Sequence, residues 1–317
     1  MSSISSFTLR LIIEKPIIFQ SFSGFAVCGI FYNLIKSIDE NYAEQLHSSK
    51  KLAPWAASPL FIEFPPPSKI VYRTLNAPSI ANVTFNIMDS KLSDVFKEAI
   101  LKPELYVDLI NIKAKVLGVS VNTYKFSNLI SNTYLLPEKF AIKFLTPTVF
   151  RQSVYYCCPN CPYYTKYIHA AKEGKRLDKP CKYAIRCRGT IVPLPIPSLM
   201  FKNLARLWSA FSGISLDILD LVKWIESAIV IAGFPKPGIR TIRVYEHPTT
   251  NKWIVGFMGT VRFAIKKDAY KEKYAKITAA LIRMGEITNV GVRRTAGLGM
   301  IKYMKSKDEI NLKQNSK

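Results

Sequence analysis

Twice along this chain, strand and helix patterns follow one another in the order strand, helix, strand, strand, helix, strand. In the first copy the apolar spacing predicts a strand at 7–13, a helix at 22–37, strands at 58–64 and 82–88, a helix at 92–100 and an apolar, β-branched run at 109–121. A short helix is also expected at 41–46. This order of elements is that of the ferredoxin-like fold.

The second copy begins near residue 139. The patterns predict strands at 140–145, 240–246, 252–265 and 300–304, and helices at 198–211, 216–231 and 268–284. An insertion at about 151–191 interrupts this copy after its first strand. We therefore predict an α+β chain of two tandem ferredoxin-like (RRM-like) domains, residues 1–136 and 137–317, with a cysteine-rich insertion in the second.

A glycine-rich segment, residues 291–299, joins the last predicted helix to the last predicted strand. It holds three glycines, a threonine and the pair Arg293-Arg294. Glycine lets a backbone approach another surface and accepts positive φ, and such a loop can point N–H groups and arginines at a phosphate. The spacing fits neither a Walker loop nor a dinucleotide fingerprint. The loop alone is equally typical of a turn between a helix and a strand.

The chain is strongly basic, with 45 Lys and Arg against 22 Asp and Glu and a formal net charge of +23. A polyanion would relieve the resulting self-repulsion, and 16 Tyr and 18 Phe supply stacking surfaces, so nucleic acid is the favoured partner. A membrane surface is the competing polyanion, but the basic residues are spread along the chain. The apolar segment 216–234 is interrupted by charged residues and is expected in the core. No secretion signal is recognisable, so we expect a cytoplasmic protein without a membrane partner.

The predicted insertion contains five of the six cysteines. Cys158 and Cys161 have the spacing of a zinc knuckle, and Cys181 and Cys187 form a wider second pair. Cys157 or His169 could replace one of these ligands. A structural zinc is favoured only slightly over a disulfide or free thiols.

Four stretches, taken in order, resemble the CRISPR-associated endoribonucleases of the RAMP superfamily that process precursor CRISPR RNA. They are residues 44–47 (EQLH) with 58–60 (SPL), 143–148 (KFLTPT), 256–263 (GFMGTVRF) and the glycine-rich loop 291–299. The resemblance implies two tandem ferredoxin-like domains and cleavage of the repeat sequence without a metal cofactor. The products expected are a 2′,3′-cyclic phosphate and a 5′-hydroxyl. The processed RNA would then pass to a CRISPR effector complex, with which some family members remain associated.

The resemblance also assigns roles to single residues. His47 matches the catalytic histidine, and histidine suits either proton transfer because it titrates near neutral pH. Tyr32 matches an assisting tyrosine. Apart from these matches, Lys50 or Lys51, which follow His47 closely in the sequence, would either stabilise the phosphorane or orient the phosphate. The predicted RNA-binding residues are Gly291, Arg293, Arg294, Thr295, Gly297 and Gly299.

Alternatives exist for these assignments. His47 could be a solvated residue at the end of a helix, and His247 is expected to be solvated in a hairpin turn. The second functional reading is a RAMP-fold subunit that binds RNA in an effector complex without cutting it. Either function is compatible with a monomer or a homodimer.

Overall fold

The computed structural model describes residues 2–49, 52–152, 190–246 and 253–304. Within these ranges the chain forms two large antiparallel sheets with helices packed against them, a mixed α/β fold. No helix in the described ranges is long and apolar enough to cross a membrane.

The first half of the chain contains nine strands and four helices in the residues described. They are β1 (Ser3–Ile13), β2 (Ile17–Ile18), α1 (Gly24–Lys36), α2 (Glu40–Ser48), β3 (Trp55–Ala57), β4 (Phe61–Phe64), β5 (Lys69–Ile70), β6 (Thr74–Leu75), β7 (Ser79–Ile87), α3 (Ser90–Ile100), β8 (Tyr106–Leu109), β9 (Ile112–Lys125) and α4 (Phe126–Ser131).

The first sheet has the order β5-β4-β7-β1-β9-β8, and β3 also pairs with β7. Its central strand β1 alternates in burial, so that Leu9, Leu11 and Ile13 point into the core. Helices α1 and α3 cover this face, where Phe31 and Phe96 stack at 5.4 Å between ring centroids. Each such buried phenylalanine contributes about 1.5–3 kcal/mol of hydrophobic stabilisation.

The second half begins with β10 (Lys139–Thr148), which is followed in the described residues by six further strands and three longer helices. These are β11 (Phe150–Gln152), β12 (Thr190–Val192), α5 (Pro197–Phe211), α6 (Ile218–Ala228), β13 (Ile229–Gly233), β14 (Ile239–Glu246), β15 (Trp253–Ile265), α7 (Glu272–Thr288) and β16 (Ile301–Met304). The second sheet has the order β13-β15-β10-β16, with β14 also paired to β15.

The two sheets share one arrangement, which is consistent with ferredoxin-like domains. The strand that opens each half, β1 or β10, lies between the third and fourth strands of the pattern, β7 and β9 or β15 and β16. The expected order of strands and helices is therefore found in both halves.

The predicted helix 216–231 is too long at its C-terminal end. Helix α6 ends at Ala228, and the next residues form strand β13, which pairs with β15 from Ile229 to Gly233. The β-branched run Ile229-Val230-Ile231 fits a strand better than a helix because branching at Cβ restricts the side chain in a helix.

Gln152 and Thr190, which lie at the two ends of the predicted insertion, are paired neighbours. Strands β11 and β12 pair there, with Phe150 opposite Val192. Residues 153–189, which include all five cysteines of the insertion, lie outside the described residues.

The two halves are packed against each other. Phe22 of the first half clusters with Val244 and Leu298 of the second. The core of the second half also takes in Ile4 and Phe126 from the first. The chain segments at residues 22 and 298 therefore meet, and this meeting point positions the site described next.

Candidate functional site

Helix α1 carries the predicted assisting residue Tyr32. Ile30 and Phe31 are fully buried against the first sheet, whereas Cys28 and Tyr32 lie one turn apart on a half-buried flank. Tyr32 is thus held by packing while part of the residue remains exposed.

Helix α2 carries the predicted catalytic residue His47 in its last turn. The helix begins at an N-cap, where the Asp39 side chain accepts a hydrogen bond of 2.8 Å from the backbone N–H of Tyr42. Ala43 is buried beneath the helix, and His47 is exposed. Its imidazole can therefore be reached from solvent.

The packing of α2 on α1 brings His47 and Tyr32 together. Their ring centroids lie 5.2 Å apart in an edge-to-face arrangement. Tyr32 also contacts Trp55 edge-on at 5.8 Å. Burial, with a smaller contribution from neighbouring Cys28, raises the pKa of Tyr32 to about 12. Its phenol is therefore protonated at neutral pH and is available as a hydrogen-bond donor.

Several residues predicted from the sequence lie outside the described residues. These are Lys50, Lys51, Cys158, Cys161, Cys181, Cys187, His169 and His247. In the part of the chain that the structure describes, no group of three His, Cys, Asp or Glu side chains is arranged to hold a metal ion.

The glycine-rich loop follows α7 and precedes β16, as predicted. Its three glycines have positive φ: Gly291 (83°), Gly297 (71°) and Gly299 (77°). A Cβ atom at these positions would overlap backbone atoms of Val149, Pro59 and Val290, respectively. The glycines are therefore required for close packing of the loop against its surroundings.

The glycine N–H groups do not form the expected phosphate cradle. Each donates inside the protein: Gly291 to Asn203 Oδ1 at 2.8 Å, Gly297 to the Arg294 carbonyl at 3.2 Å and Gly299 to the Pro147 carbonyl at 3.1 Å. All three glycines are buried. These internal contacts argue against the prediction that Gly291, Gly297 and Gly299 contact RNA.

The two arginines of the loop have opposite environments. Arg294 is 4% exposed and donates from Nη1 to the Thr288 carbonyl at 3.0 Å and from Nη2 to the Ala53 carbonyl at 2.8 Å. Burial lowers its pKa to about 10, so it stays charged at neutral pH. Its burial and its two internal bonds argue against the predicted phosphate contact of Arg294, whereas Arg293 is exposed.

The loop also contacts helix α1. The Thr295 side chain and the charge of Arg293 both lie close enough to the Cys28 thiol to lower its pKa. Burial nevertheless raises the pKa of Cys28, which keeps it a thiol. Five side chains thus follow one another from the loop to α2: Arg293, Thr295, Cys28, Tyr32 and His47. We call them the site row.

Sequence reasoning missed Asn289 and Asn203. Asn289 ends α7 with φ 59° and donates from Nδ2 to the Ala57 carbonyl at 2.8 Å and the Arg294 carbonyl at 3.3 Å. An asparagine after a helix is a recognisable cap residue. Its bond to a strand of the other half, like the contact of Asn203 with the loop, has no signal in the sequence.

Comparisons with known proteins identify the family of the chain. The sequence model of CRISPR-associated endoribonuclease Cas6 matches residues 142–301, just over half of the chain. A search of curated proteins found no match. The chain belongs to the CRISPR-associated endoribonuclease Cas6 family.

Solved structures show the same fold over nearly the whole chain. A Cas6 product complex has a TM-score of 0.69 at 20% identity, covering 96% of this chain and 100% of that one. Cas6 from Thermus thermophilus has a TM-score of 0.63 at 17% identity, covering 96% and 99%. A structure described as an RAMP protein binding different RNA substrates has a TM-score of 0.53 at 14% identity, covering 96% and 100%.

Proposed function

We propose that this protein binds CRISPR repeat RNA in precursor transcripts and cleaves it by attack of a 2′-hydroxyl on the adjacent phosphate. The observation that carries the proposal is the contact of His47 with Tyr32 at the end of the site row, in a chain of the Cas6 family. The similar Cas6 structures include a product complex and a substrate mimic complex, which supports RNA as the partner.

His47 would move the proton in this reaction. The 2′-oxygen forms a bond to phosphorus and loses its proton, while the bond from phosphorus to the 5′-oxygen breaks and that oxygen gains a proton. Imidazole can serve either transfer near neutral pH. The exposure of His47 lets a nucleotide approach it without movement of the helix.

Tyr32 would act as a donor and not as a base. With a pKa raised to about 12, its hydroxyl keeps its proton throughout the neutral range. A neutral phenol can donate to a phosphoryl oxygen on which charge develops. Its ring contact with His47 supports this role, because the donor would act beside the group that would move the proton.

Arg293 supplies positive charge at the other end of the site row. It is exposed, and its planar guanidinium suits phosphate oxygens. Thr295 is half-buried beside it. We propose Arg293 and Thr295 as RNA contacts, with Lys50 or Lys51 acting on the scissile phosphate.

The remaining assignments are also proposals. They are two tandem ferredoxin-like domains divided at residues 136 and 137, a structural zinc held by Cys158, Cys161, Cys181 and Cys187, cytoplasmic location, and a monomer or homodimer that hands its product to an effector complex. Metal analysis of the purified protein tests the zinc.

An RNA that carries the repeat of a CRISPR array from the same genome should be cleaved once per repeat in the presence of EDTA. The 5′ fragments should end in a 2′,3′-cyclic phosphate because the attacking oxygen belongs to the RNA itself. Mass spectrometry of the fragments identifies these ends. Circular dichroism in EDTA should accompany the assay, because loss of a structural zinc would unfold the protein without touching the chemistry.

The matched control substrate has a single 2′-deoxy nucleotide at the cleaved position. It should bind with the same affinity and remain intact. Cleavage of this substrate would contradict the proposed chemistry. Tight binding of the all-ribose repeat with no cleavage would instead favour the second reading, a non-cleaving RNA-binding subunit of an effector complex.

Replacing Arg293 with glutamine should weaken RNA binding and reduce its salt dependence. Each lost phosphate contact lowers the slope of log K against log salt by about 0.7–0.9, because fewer counterions are released. Fluorescence anisotropy over a salt series measures the slope. Lys97→Gln is the control, since it removes one exposed charge on α3. Equal slopes for the two variants would remove Arg293 from the RNA interface.

A further inference from the structure

Arg294 and Asn289 hydrogen-bond the glycine-rich loop to strand β3 and to the residues just before it. Arg294 Nη2 donates to the Ala53 carbonyl and Asn289 Nδ2 to the Ala57 carbonyl, both at 2.8 Å. The two donor side chains are 4% and 2% exposed. We call these two side chains and two carbonyls the clamp. Because the donors are also tied to each other by the bond from Asn289 to the Arg294 carbonyl, the clamp acts as one unit.

Trp55 lies between the two clamped carbonyls. It is 1% exposed and stacks on Phe31 with 3.6 Å between ring centroids and 13° between planes. The edge of Tyr32 contacts the same indole at 5.8 Å. A displacement of Trp55 would therefore be passed to the ring that touches His47.

The clamp therefore reaches the His47–Tyr32 pair through Trp55, which contacts Tyr32, and Tyr32 contacts His47.

We propose that Arg294, together with Asn289, is a positioning residue. It holds His47 and Tyr32 in a fixed position relative to the glycine-rich loop. This inference rests on the proposed function and adds to it a residue that touches no substrate. Arg293, the preceding residue, is exposed in the site row. The same turn therefore carries two side chains with different roles. Arg293 would contact the RNA, and Arg294 would position His47 and Tyr32.

Only arginine satisfies this position fully. Its guanidinium reaches the Thr288 carbonyl and the Ala53 carbonyl at once, through two nitrogens in fixed geometry. Lysine keeps the charge but offers a single nitrogen, and methionine leaves the buried Thr288 carbonyl and the part-buried Ala53 carbonyl without this donor. The two substitutions therefore loosen the clamp to different degrees.

The test compares Arg294→Lys and Arg294→Met with the native chain by NMR of the imidazole C–H groups. The chain has three histidines, so His47→Ala assigns the His47 resonance. That resonance is sensitive to Tyr32 because the ring contact imposes a ring-current shift. We expect the His47 resonance to move in both variants, more in Arg294→Met, while the resonances of His169 and His247 stay in place.

The kinetic readout is the single-turnover cleavage rate at saturating RNA. It should fall by about 10- to 100-fold in Arg294→Met, since a displacement of about 1 Å at a reacting group has effects of that size. RNA affinity should change little, and Arg294→Lys should recover part of the rate. Leu221→Ala, in the core of the second half, is the control that lowers stability without reaching the clamp. It should leave the rate and the His47 resonance as they are.

The proposal is overturned if the Arg294 variants lose stability as Leu221→Ala does but keep the native His47 resonance and the native rate. If Arg294→Met does not fold, Arg294→Lys and Asn289→Ala provide the same two readouts. If the native protein cleaves no RNA, the proposed function fails, while the His47 resonance still decides whether Arg294 positions the pair.

Discussion

Replacing His47 with alanine should slow repeat cleavage by about 100- to 10,000-fold, the range that positioned general acid–base groups contribute. Binding should persist because the imidazole is exposed at the end of α2 and its ring contact is with Tyr32 alone among the residues described. The fold should also persist, since Ala43 and not His47 is the buried residue of that helix. Single-turnover cleavage and fluorescence anisotropy on one RNA separate the two effects.

The control for this substitution is His247→Ala. It removes an imidazole from the same chain at a position predicted to be a solvated turn. Cleavage at the native rate by His47→Ala would remove His47 from the mechanism. An equal loss in both variants would point to a general effect of removing imidazole and not to a proton transfer at the site row.

The order of the elements could be predicted well from the sequence because the spacing of apolar residues is a local property. The alternation of Leu9, Leu11 and Ile13 marks β1 without knowledge of its partners. The boundary at Ala228 was missed because a run of apolar residues continues there from a helix into a strand. Only the pairing of β13 with β15 distinguishes the two structures.

The glycine-rich loop was located correctly, but its role could not be derived from its residues. Glycine permits close approach, and the sequence does not say whether the approaching surface is RNA or the protein itself. Arg293 and Arg294 are adjacent and chemically identical, yet one is exposed and the other buried. Arg293 adopts φ 59° and a 3₁₀ turn follows, so the two side chains leave the backbone in different directions. That geometry depends on tertiary contacts.

The site row joins residues that are far apart in the sequence. The loop and His47 lie in opposite halves of the chain. Helix α1 joins them, because Cys28 contacts Thr295 and Tyr32 contacts His47 one turn further along. Resemblance to a family identified His47 and Tyr32 as candidates, but their contact follows from the packing of α2 on α1.

Replacing each of two glycines of helix α1 with alanine tests the contact between α1 and the glycine-rich loop. The two substitutions should change the free energy of unfolding in opposite directions. A Cβ at Gly24 would overlap the carbonyl oxygen of Ala296 in the loop and would lie 3.2 Å from Phe22 Cε1. A Cβ at Gly29 would have no atom within 4 Å. Gly24→Ala should therefore lower the free energy of unfolding by about 1–3 kcal/mol through overpacking. Gly29→Ala should raise it by about 0.5–1 kcal/mol through improved helix propensity.

Urea denaturation of the three proteins measures both changes under identical conditions. The substitution and the helix are the same in both variants. Gly24 begins the helix, so its gain in helix propensity is smaller than that of Gly29, and the surroundings of the two residues differ. A stabilised Gly24→Ala protein would mean that α1 is not in contact with the loop at Ala296. If the contact is present, relieving the overlap must move α1 away from the loop, and Tyr32 lies on that helix. Gly24→Ala should then also slow cleavage at temperatures where it is fully folded, whereas Gly29→Ala should cleave at the native rate.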